Sequence, residues 1–238
     1  MKKAIVIGAT SGMGRELAKI LAANNYVVGL VGRRDELLHE LQQEIPTPAL
    51  IKSFDIASAE AINLLEDLIQ EMNGVELVVI SAGVGFFNPD LDFAKEKATI
   101  DVNVTGFVAM AGVAFKHFVK QGTGHIVGIS SIAALRGGGY LPAYNASKAF
   151  VSNYLEGLRQ KAHKLGLPIT ITDIQPGFVD TAMTQGTKGL FWLASPAKAA
   201  SQIYRAIVAN RNHAYITKRW WIMACLLKIA PDWLYNKF

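Results

Sequence analysis

Tyr144 and Lys148 are the two residues of this chain whose types and spacing are best suited to chemistry. Residues four apart on a helix lie on one face, one turn from each other, and the run 143–164 is rich enough in helix formers to be that helix. A phenol has an ordinary pKa of about 10, and a neighbouring ammonium favours the phenolate and lowers that pKa. The pair could therefore pass a proton to or from an oxygen. Such a pair is more often plain surface, so the interpretation depends on the rest of the chain.

The composition excludes several classes of protein. With 238 residues, 51% hydrophobic and 18% charged, the chain suits one large α/β domain and not a disordered one. Its net charge of +5 is modest and spread out, so no nucleic-acid partner is expected. One cysteine allows no internal disulfide and fits the cytoplasm. We expect no signal peptide, no transmembrane helix and no metal site, because neither a run of about 20 apolar residues nor metal-ligand histidine spacing is found.

A glycine-rich turn follows the first predicted strand. Residues 4–8 are an apolar, β-branched run, and helical periodicity begins at Arg15. The turn between them contains Gly8, Thr10, Ser11, Gly12, Met13 and Gly14. Glycines permit a tight strand-to-helix turn and a close approach of the backbone to a pyrophosphate, which the helix N-terminus then receives. This arrangement predicts a dinucleotide site.

The residues at the end of the second predicted strand, 26–32, indicate which dinucleotide the site would bind. Enzymes that use NAD carry an acidic residue near this point, which holds the ribose 2′-hydroxyl. Here the strand is followed by Arg33 and Arg34. A guanidinium binds a phosphate dianion in a bidentate manner, so Arg33, helped by Arg34, is predicted to hold the 2′-phosphate of NADP(H). The alternative is that both arginines only solvate the start of the next helix.

Strands and helices alternate along residues 1–217. Further strands are predicted at 49–54, 75–80, 125–129, 167–174 and 214–217, and helices at 35–44, 57–72, 92–118, 143–164 and 196–210, with a loop or short helix at 183–193. The strands are continuously apolar, which indicates a parallel sheet covered on both faces. The prediction is an α/β fold: one doubly wound domain of the Rossmann type, with about seven parallel strands and helices on both faces.

Small and polar residues follow several of these strands, at the edge where ligands bind. Asp55 follows the third strand and is predicted to contact the adenine, or equally to cap a helix. Ala82 and Gly83 follow the fourth strand and would let a cofactor lie close to the backbone. Asn103 is inside the 92–118 helix and is either incidental or positioned for a polar task.

These residues together resemble the classical short-chain dehydrogenase/reductase family over roughly residues 3–217. The resemblance rests on Gly8, Gly12 and Gly14, on Asp55, on Ser81-Ala82-Gly83, on Asn103, Ser131, Tyr144 and Lys148, and on the segment from Pro176-Gly177 through Val179 to Thr181. Two positions depart from the family pattern. Ile80 and Ser81 stand where the family has two asparagines, and Ile7 stands where a threonine is usual.

The resemblance implies a role for each site residue. Tyr144 would be the general acid in reduction and the general base in oxidation. Lys148 would lower the pKa of Tyr144 and hold the nicotinamide ribose, and Ser131 would hydrogen-bond the substrate oxygen. Asn103 would hold a water that links Lys148 to solvent. Pro176, Gly177, Val179 and Thr181 would border the nicotinamide.

Residues 218–238 form an unusual apolar extension. The run 220–230 is apolar nearly all round, is stopped by Pro231, and is too short to span a bilayer. Three alternatives remain open: packing on its own domain or on a partner subunit, closing over an apolar pocket, or dipping into a membrane surface. In the last case the headgroup-level cations would be Lys218, Arg219, Lys228 and Lys237. The aromatic loop residues Phe86, Phe87, Phe178, Phe191 and Trp192 are expected near the mouth of the site, or are ordinary loop anchors.

The sequence therefore predicts an NADP(H)-dependent oxidoreductase for a ketone, an aldehyde or a secondary alcohol with an apolar body. The alternative is a non-catalytic protein that senses NADP(H) through partners. The resemblance also implies a homodimer or homotetramer built through the Tyr144 helix and the helix before it. We expect a cytoplasmic protein, with peripheral membrane contact through the extension as an option.

Overall fold

Seven strands and nine α-helices alternate in the computed structural model, which describes residues 1–184 and 189–235. The strands are β1 (Lys2–Ile7), β2 (Tyr26–Gly32), β3 (Ala49–Ser53), β4 (Leu77–Ile80), β5 (Gly124–Ile129), β6 (Ile169–Pro176) and β7 (His213–Ile216). The helices are α1 (Gly12–Ala23), α2 (Asp35–Glu44), α3 (Ala61–Glu71), α4 (Phe93–Ile100), α5 (Phe107–Gln121), α6 (Pro142–Lys164), α7 (Pro196–Val208), α8 (Trp220–Ile229) and α9 (Asp232–Tyr235).

The strands form one parallel sheet in the order β3-β2-β1-β4-β5-β6-β7. The central strands are buried on both faces, and two separate apolar clusters of side chains cover the two faces. The predicted doubly wound α/β fold is therefore confirmed. The strand order reverses between β1 and β4, and the crevice beyond the carboxyl ends of the strands at such a point is where ligands bind in these sheets.

Several predicted boundaries are wrong by a few residues. The helix predicted at 57–72 begins only at Ala61, because residues 55–58 form a turn in which the Asp55 carboxylate accepts a hydrogen bond from the Ala57 amide at 3.0 Å. The sixth strand runs to Pro176, two residues beyond the prediction. This extension brings the Pro176-Gly177 segment to the sheet edge. Part of the predicted loop 183–193, residues 185–188, lies outside the described residues.

The helix predicted at 92–118 is two α-helices joined by a π-helical segment, Asp101–Gly106. The combined run Phe93–Gln121 is, by length and composition, apolar enough to cross a membrane, so the expectation that no such stretch exists is wrong. Half of its most apolar window is buried, and Phe107, Met110 and Phe118 belong to the core cluster on one face of the sheet. The run packs as a core helix of the domain.

Candidate active site

The Tyr144 and Lys148 side chains leave the first turns of α6 on the face that packs toward the sheet. The Lys148 ammonium lies 5.7 Å from the centre of the Tyr144 ring. It donates a hydrogen bond of 3.0 Å to the Ile129 carbonyl, at the carboxyl end of β5. Lys148 is only 6% exposed. Lys148 is therefore buried and hydrogen-bonded at a strand end, and the alternative that it is an ordinary solvated surface lysine is wrong.

Two glycines of the segment after β4 make room for this pair. A Cβ atom added to Gly85 would lie 2.7 Å from the Tyr144 ring, and one added to Gly83 would lie 3.2 Å from the Lys148 Nζ. The small residues here were expected to admit a cofactor. They also admit the two side chains of the proton-transfer pair. Gly85 was not among the predicted site residues, because nothing in the local pattern shows which side chain will approach it.

Asn103 lies in the π-helical segment and joins the loop after β4 to α6. Its Oδ1 accepts a hydrogen bond of 2.8 Å from the Val84 amide, and its Nδ2 donates to the Val84 carbonyl at 2.7 Å and to the Ser147 hydroxyl at 3.0 Å. A π-helical turn is rare and frequently marks a functional site. The Asn103 side chain is therefore positioned for a polar role. Its hydrogen bonds hold the loop after β4 in place behind Tyr144 and Lys148. Its role in a water relay stays a prediction.

The two serines after β5 have different surroundings. The Ser130 hydroxyl is fully engaged, since it donates to the buried Asp173 carboxylate and lies 3.1 Å from the Ile174 carbonyl. The Ser131 hydroxyl accepts a hydrogen bond of 3.1 Å from the Ala133 amide and also bonds the Tyr144 side chain. Of the two, Ser131 is therefore the one placed to meet a substrate oxygen beside Tyr144.

Burial shifts the pKa values of both members of the pair. Desolvation lowers the pKa of Lys148 to about 8, and the Asp173 carboxylate opposes that shift. Desolvation raises the pKa of Tyr144 above its ordinary value, and the hydrogen bond with Ser131 opposes that rise. The expectation that the lysine lowers the tyrosine pKa is not met in this structure, because burial of the phenol dominates. Tyr144 is therefore protonated at neutral pH, as a proton donor must be.

Asp173 is a site component that the sequence reasoning missed. It is buried on β6, and its carboxylate accepts hydrogen bonds from Ser130, Ser152 (2.6 Å) and Gln175 (3.1 Å). An aspartate three residues before a proline carries no local signal of this role. It can be found only when α6 and β6 are placed side by side.

We expect Asp173→Asn to move the alkaline limb of the kcat profile to lower pH. The carboxylate raises the pKa of Lys148, so its neutralisation lets that pKa fall below about 8, and the ammonium is lost at lower pH. Turnover would be followed across pH 6–10, with folding checked by thermal melting. Ser152→Ala is the matched control, because it removes one hydrogen bond to Asp173 and keeps the charge. An alkaline limb that does not move in Asp173→Asn would contradict the coupling.

A cavity of about 530 Å³ runs along the carboxyl ends of the strands. Of the predicted site residues, it is lined by Gly8, Thr10, Ser11, Gly12, Met13, Arg33, Arg34, Asp55, Ala82, Gly83, Ser131, Tyr144, Lys148, Pro176, Gly177, Val179 and Thr181. Gly14 and Asn103 do not line it and support it from behind. One cavity therefore brings together the glycine-rich turn, the two arginines and the proton-transfer pair.

The glycine-rich turn fits a dinucleotide in shape. Gly8 has φ +93°, and a Cβ atom there would lie 2.6 Å from the Ala82 amide nitrogen. A Cβ atom at Gly14 would lie 2.2 Å from the Gly8 carbonyl oxygen, so the first turn of α1 packs directly on the end of β1. The amino end of α1 then faces the cavity at Gly12 and Met13, where its free amides suit a pyrophosphate.

Arg33 and Arg34 line this cavity beside the glycine-rich turn. The Arg33 guanidinium is 3.3 Å from the Asp55 carboxylate, and the Arg34 guanidinium donates to the Thr10 hydroxyl at 2.7 Å and to the Ser11 hydroxyl at 2.9 Å. Both arginines are exposed. Both arginines have partners in the wall of the cavity and also stand at the start of α2, so their role toward a 2′-phosphate stays a prediction. Asp55 lines the cavity, and its contact with an adenine stays a prediction. The alternative of a helix cap is wrong, because Asp55 caps a turn at Ala57 and the next helix, α3, begins only at Ala61.

Five aromatic residues were expected at the mouth of the site, and of these Phe178 lines the cavity. Phe87 stacks on Tyr140 with ring centres 5.3 Å apart. Phe191 and Trp192 pack on Trp220 of α8 at 5.1 and 5.7 Å between ring centres.

Within residues 1–184 and 189–235, no group of three or more His, Cys, Asp or Glu side chains could hold a metal ion.

The C-terminal extension packs on the domain through one face of α8. Trp220 is 3% exposed, and a Cβ atom at Gly177 would lie 1.9 Å from its indole ring. Arg136 donates to the Ala230 carbonyl at 2.8 Å and to the Asp232 carboxylate at 2.6 Å. The extension thus holds the loop after Ser131 and the segment after Pro176 from outside. Lys237, one of the predicted headgroup-level cations, lies outside the described residues.

Comparison with known proteins gives one consistent family. The model of the short chain dehydrogenase family matches residues 2–189. An uncharacterized oxidoreductase of Myxococcus xanthus is 36% identical over 189 residues, which cover 77% of this chain and 74% of the relative. An uncharacterized oxidoreductase of Mycobacterium tuberculosis is 29% identical over 250 residues, covering 100% of this chain and 97% of the relative.

A solved structure described as a short chain dehydrogenase/reductase family protein superposes with a TM-score of 0.77 at 26% identity. The superposition covers 90% of this chain and 94% of that chain. Sheet order, site geometry and sequence similarity agree: this chain is an oxidoreductase of the short-chain dehydrogenase/reductase family, whose members use nicotinamide cofactors.

Proposed function

We propose that the protein is an NADP(H)-dependent enzyme that interconverts a ketone or aldehyde and the corresponding alcohol. The observation that carries the proposal is the single cavity lined both by Tyr144, Lys148 and Ser131 and by the glycine-rich turn. A dinucleotide with its pyrophosphate at that turn would have its nicotinamide end in the same cavity as the proton-transfer pair.

The residues then have distinct tasks. The Ser131 hydroxyl donates a hydrogen bond to the carbonyl oxygen and stabilises the negative charge that develops there. Tyr144 gives that oxygen its phenolic proton in reduction and takes it back in oxidation. Lys148, held by the Ile129 carbonyl, stabilises the tyrosinate that remains. NADP(H), when bound, supplies the hydride that the carbonyl carbon receives or gives up.

An apolar substrate is supported by the cavity wall beyond Ser131. The side chains there include Ile132, Leu141, Phe178, Met183 and Leu190. A wall of this kind holds the substrate body by burial, while the hydroxyls of Ser131 and Tyr144 fix the one polar oxygen. The direct test is turnover, followed by absorbance, on a panel from short polar carbonyls to sterols and long-chain acyl ketones. NADPH binding without turnover on any member would favour the non-catalytic sensor.

We expect Arg33→Asp to reverse the coenzyme preference from NADPH toward NADH. The substitution removes a cation from the adenosine end of the cavity and puts a carboxylate where a 2′-phosphate would lie, which is repulsive for NADPH and suits a free ribose hydroxyl. The ratio of kcat/KM for NADPH to that for NADH should fall by at least tenfold. Arg205→Asp is the control, because it makes the same charge change on an exposed part of α7. An equal ratio before and after would refute the phosphate role.

We further propose a cytoplasmic homodimer or homotetramer assembled through α5 and α6. On α6 the exposed Phe150 ring stacks on the half-buried Tyr154 ring at 5.7 Å between ring centres, which supports this surface as an interface. The single cysteine, Cys225, is a free and exposed thiol, which suits a reducing compartment.

A further inference from the structure

Helix α8 has a buried inner face and an exposed apolar outer face. Trp220 and Ala224 point inward and are buried. Trp221, Ile222, Leu226 and Ile229 are 59%, 51%, 51% and 78% exposed. Their spacing places these four side chains on the side of the helix away from the domain. We call them the outer face of α8. Large apolar side chains grouped in this way mark an interaction surface, unlike single exposed ones.

Cations surround the outer face. Lys218 and Arg219 immediately precede the helix and Lys228 is in its last turn, and all three are exposed. Among the described residues, Lys218 and Lys228 form no ion pair, and the Arg219 guanidinium lies over the Trp192 ring at 5.1 Å. The one carboxylate that follows, Asp232, is paired with Arg136. The surface is therefore apolar with a positively charged rim.

The occupant that fits this pattern is an anionic lipid surface. A second copy of the chain would bring two sets of like charges together, which is repulsive, whereas anionic headgroups complement them. Ten residues of helix are about 15 Å long, half of what is needed to span a bilayer, so α8 can only lie in the interface. Tryptophan at its edge suits that depth, since the indole combines an apolar ring with a polar N–H.

The buried inner face of α8 packs toward the mouth of the cavity. Phe191 is 45% exposed and packs on Trp220 with ring centres 5.1 Å apart. Phe178, which lines the cavity, packs on the same indole at 5.2 Å. A bilayer that accepts the outer face would therefore lie about one helix diameter from the apolar wall of the cavity.

We propose that the protein docks peripherally on anionic membranes through the outer face of α8, with Lys218, Arg219 and Lys228 at headgroup level. Docking in this geometry keeps the cavity close to a bilayer that supplies a lipid-soluble substrate. That consequence rests on the function proposed above, whereas the docking itself does not.

The test is co-sedimentation of the full chain with phosphatidylcholine vesicles that contain 0% or 30% phosphatidylglycerol. We expect partitioning onto the anionic vesicles that is at least tenfold stronger than onto the neutral ones and that weakens as salt is raised. The triple variant Trp221→Ser, Leu226→Ser, Ile229→Ser should lose at least tenfold in partitioning. Lys218→Gln with Lys228→Gln should lose about 25-fold in partitioning onto anionic vesicles and nothing on neutral ones, since each cation contributes about fivefold.

The matched control replaces three exposed apolar side chains far from α8, in Ile62→Ser, Leu165→Ser, Val208→Ser. It should bind like the wild type, and thermal melting should show that all variants are folded. Failure of the wild type to bind anionic vesicles, or equal binding by the triple variant at α8, would overturn the proposal. The proposal would also be overturned if the wild type were a dimer, if the triple variant at α8 were a monomer, and if vesicles bound neither of them. None of these readouts uses turnover, so docking and catalysis are judged separately.

Discussion

Tyr144→Phe should lower kcat by at least a thousandfold and leave the dissociation constant for the coenzyme within about threefold of wild type. The substitution removes one hydroxyl, the group that gives or takes the proton, and general acid–base catalysis contributes about a hundredfold to ten-thousandfold. The ring itself stays packed over Gly85, so the shape of the cavity is kept. Turnover by absorbance and coenzyme binding by fluorescence titration measure the two quantities.

The matched control for this prediction is Tyr154→Phe, on the same helix. That tyrosine packs edge-on against Phe107 at 6.4 Å, and it does not line the cavity. Loss of the Tyr154 hydroxyl should leave kcat within about twofold of the wild-type value. Substantial turnover retained by Tyr144→Phe would show that another group handles the proton. In that case the proton donor of the proposed reaction would be a residue other than Tyr144.

The second large effect concerns stability. Trp220→Ala should lower the free energy of unfolding by about 3 kcal/mol, because truncating a buried tryptophan loses its burial and leaves a cavity. The indole is enclosed by Phe178, Phe191 and Trp192 and covers Gly177. Denaturant unfolding measures the loss. Trp220→Phe should lose much less, since it keeps a ring and the indole N–H has no partner among the described residues.

Trp221→Ala is the natural comparison, because Trp221 is the next residue and is 59% exposed. A substitution at such a position usually changes stability by no more than about 0.5 kcal/mol. If the two alanine variants were equally stable, α8 would not be anchored by Trp220. We also expect Trp220→Ala to raise KM for the substrate, because the Gly177 segment that borders the cavity loses its outer support.

The sequence was informative wherever a function depends on local pattern. The alternation of apolar strands and amphipathic helices predicted the parallel sheet, and the glycine spacing between β1 and α1 predicted the turn that lines the cavity. Tyr144 and Lys148 were singled out in the same way, whereas Ser131 came only from the family resemblance. Each of these features lies within a stretch of chain short enough for spacing to fix relative positions.

Features that depend on tertiary contacts were not predictable. Asp173 meets Ser152 across 21 residues of sequence, and Arg136 meets Ala230 across 94. The sequence left three alternatives for the C-terminal extension, because an apolar helix has no local signal of which face will be buried. The direction of the Tyr144 pKa shift was also missed, since burial is a property of the folded site and not of the Tyr-Lys spacing.

The close packing around Gly83 and Gly85 has a consequence for redesign of specificity. The side of the cavity that carries the chemistry is built from strand ends and α6. It has no space for a side chain at Gly85, and a Cβ atom at Gly83 would press on the Lys148 ammonium at 3.2 Å. The opposite side is made of loop residues such as Leu141, Met183 and Leu190. Libraries meant to change the accepted substrate should therefore vary the loop side and keep both glycines. Substitutions at the glycines would displace the proton donor and so reduce activity toward every substrate alike.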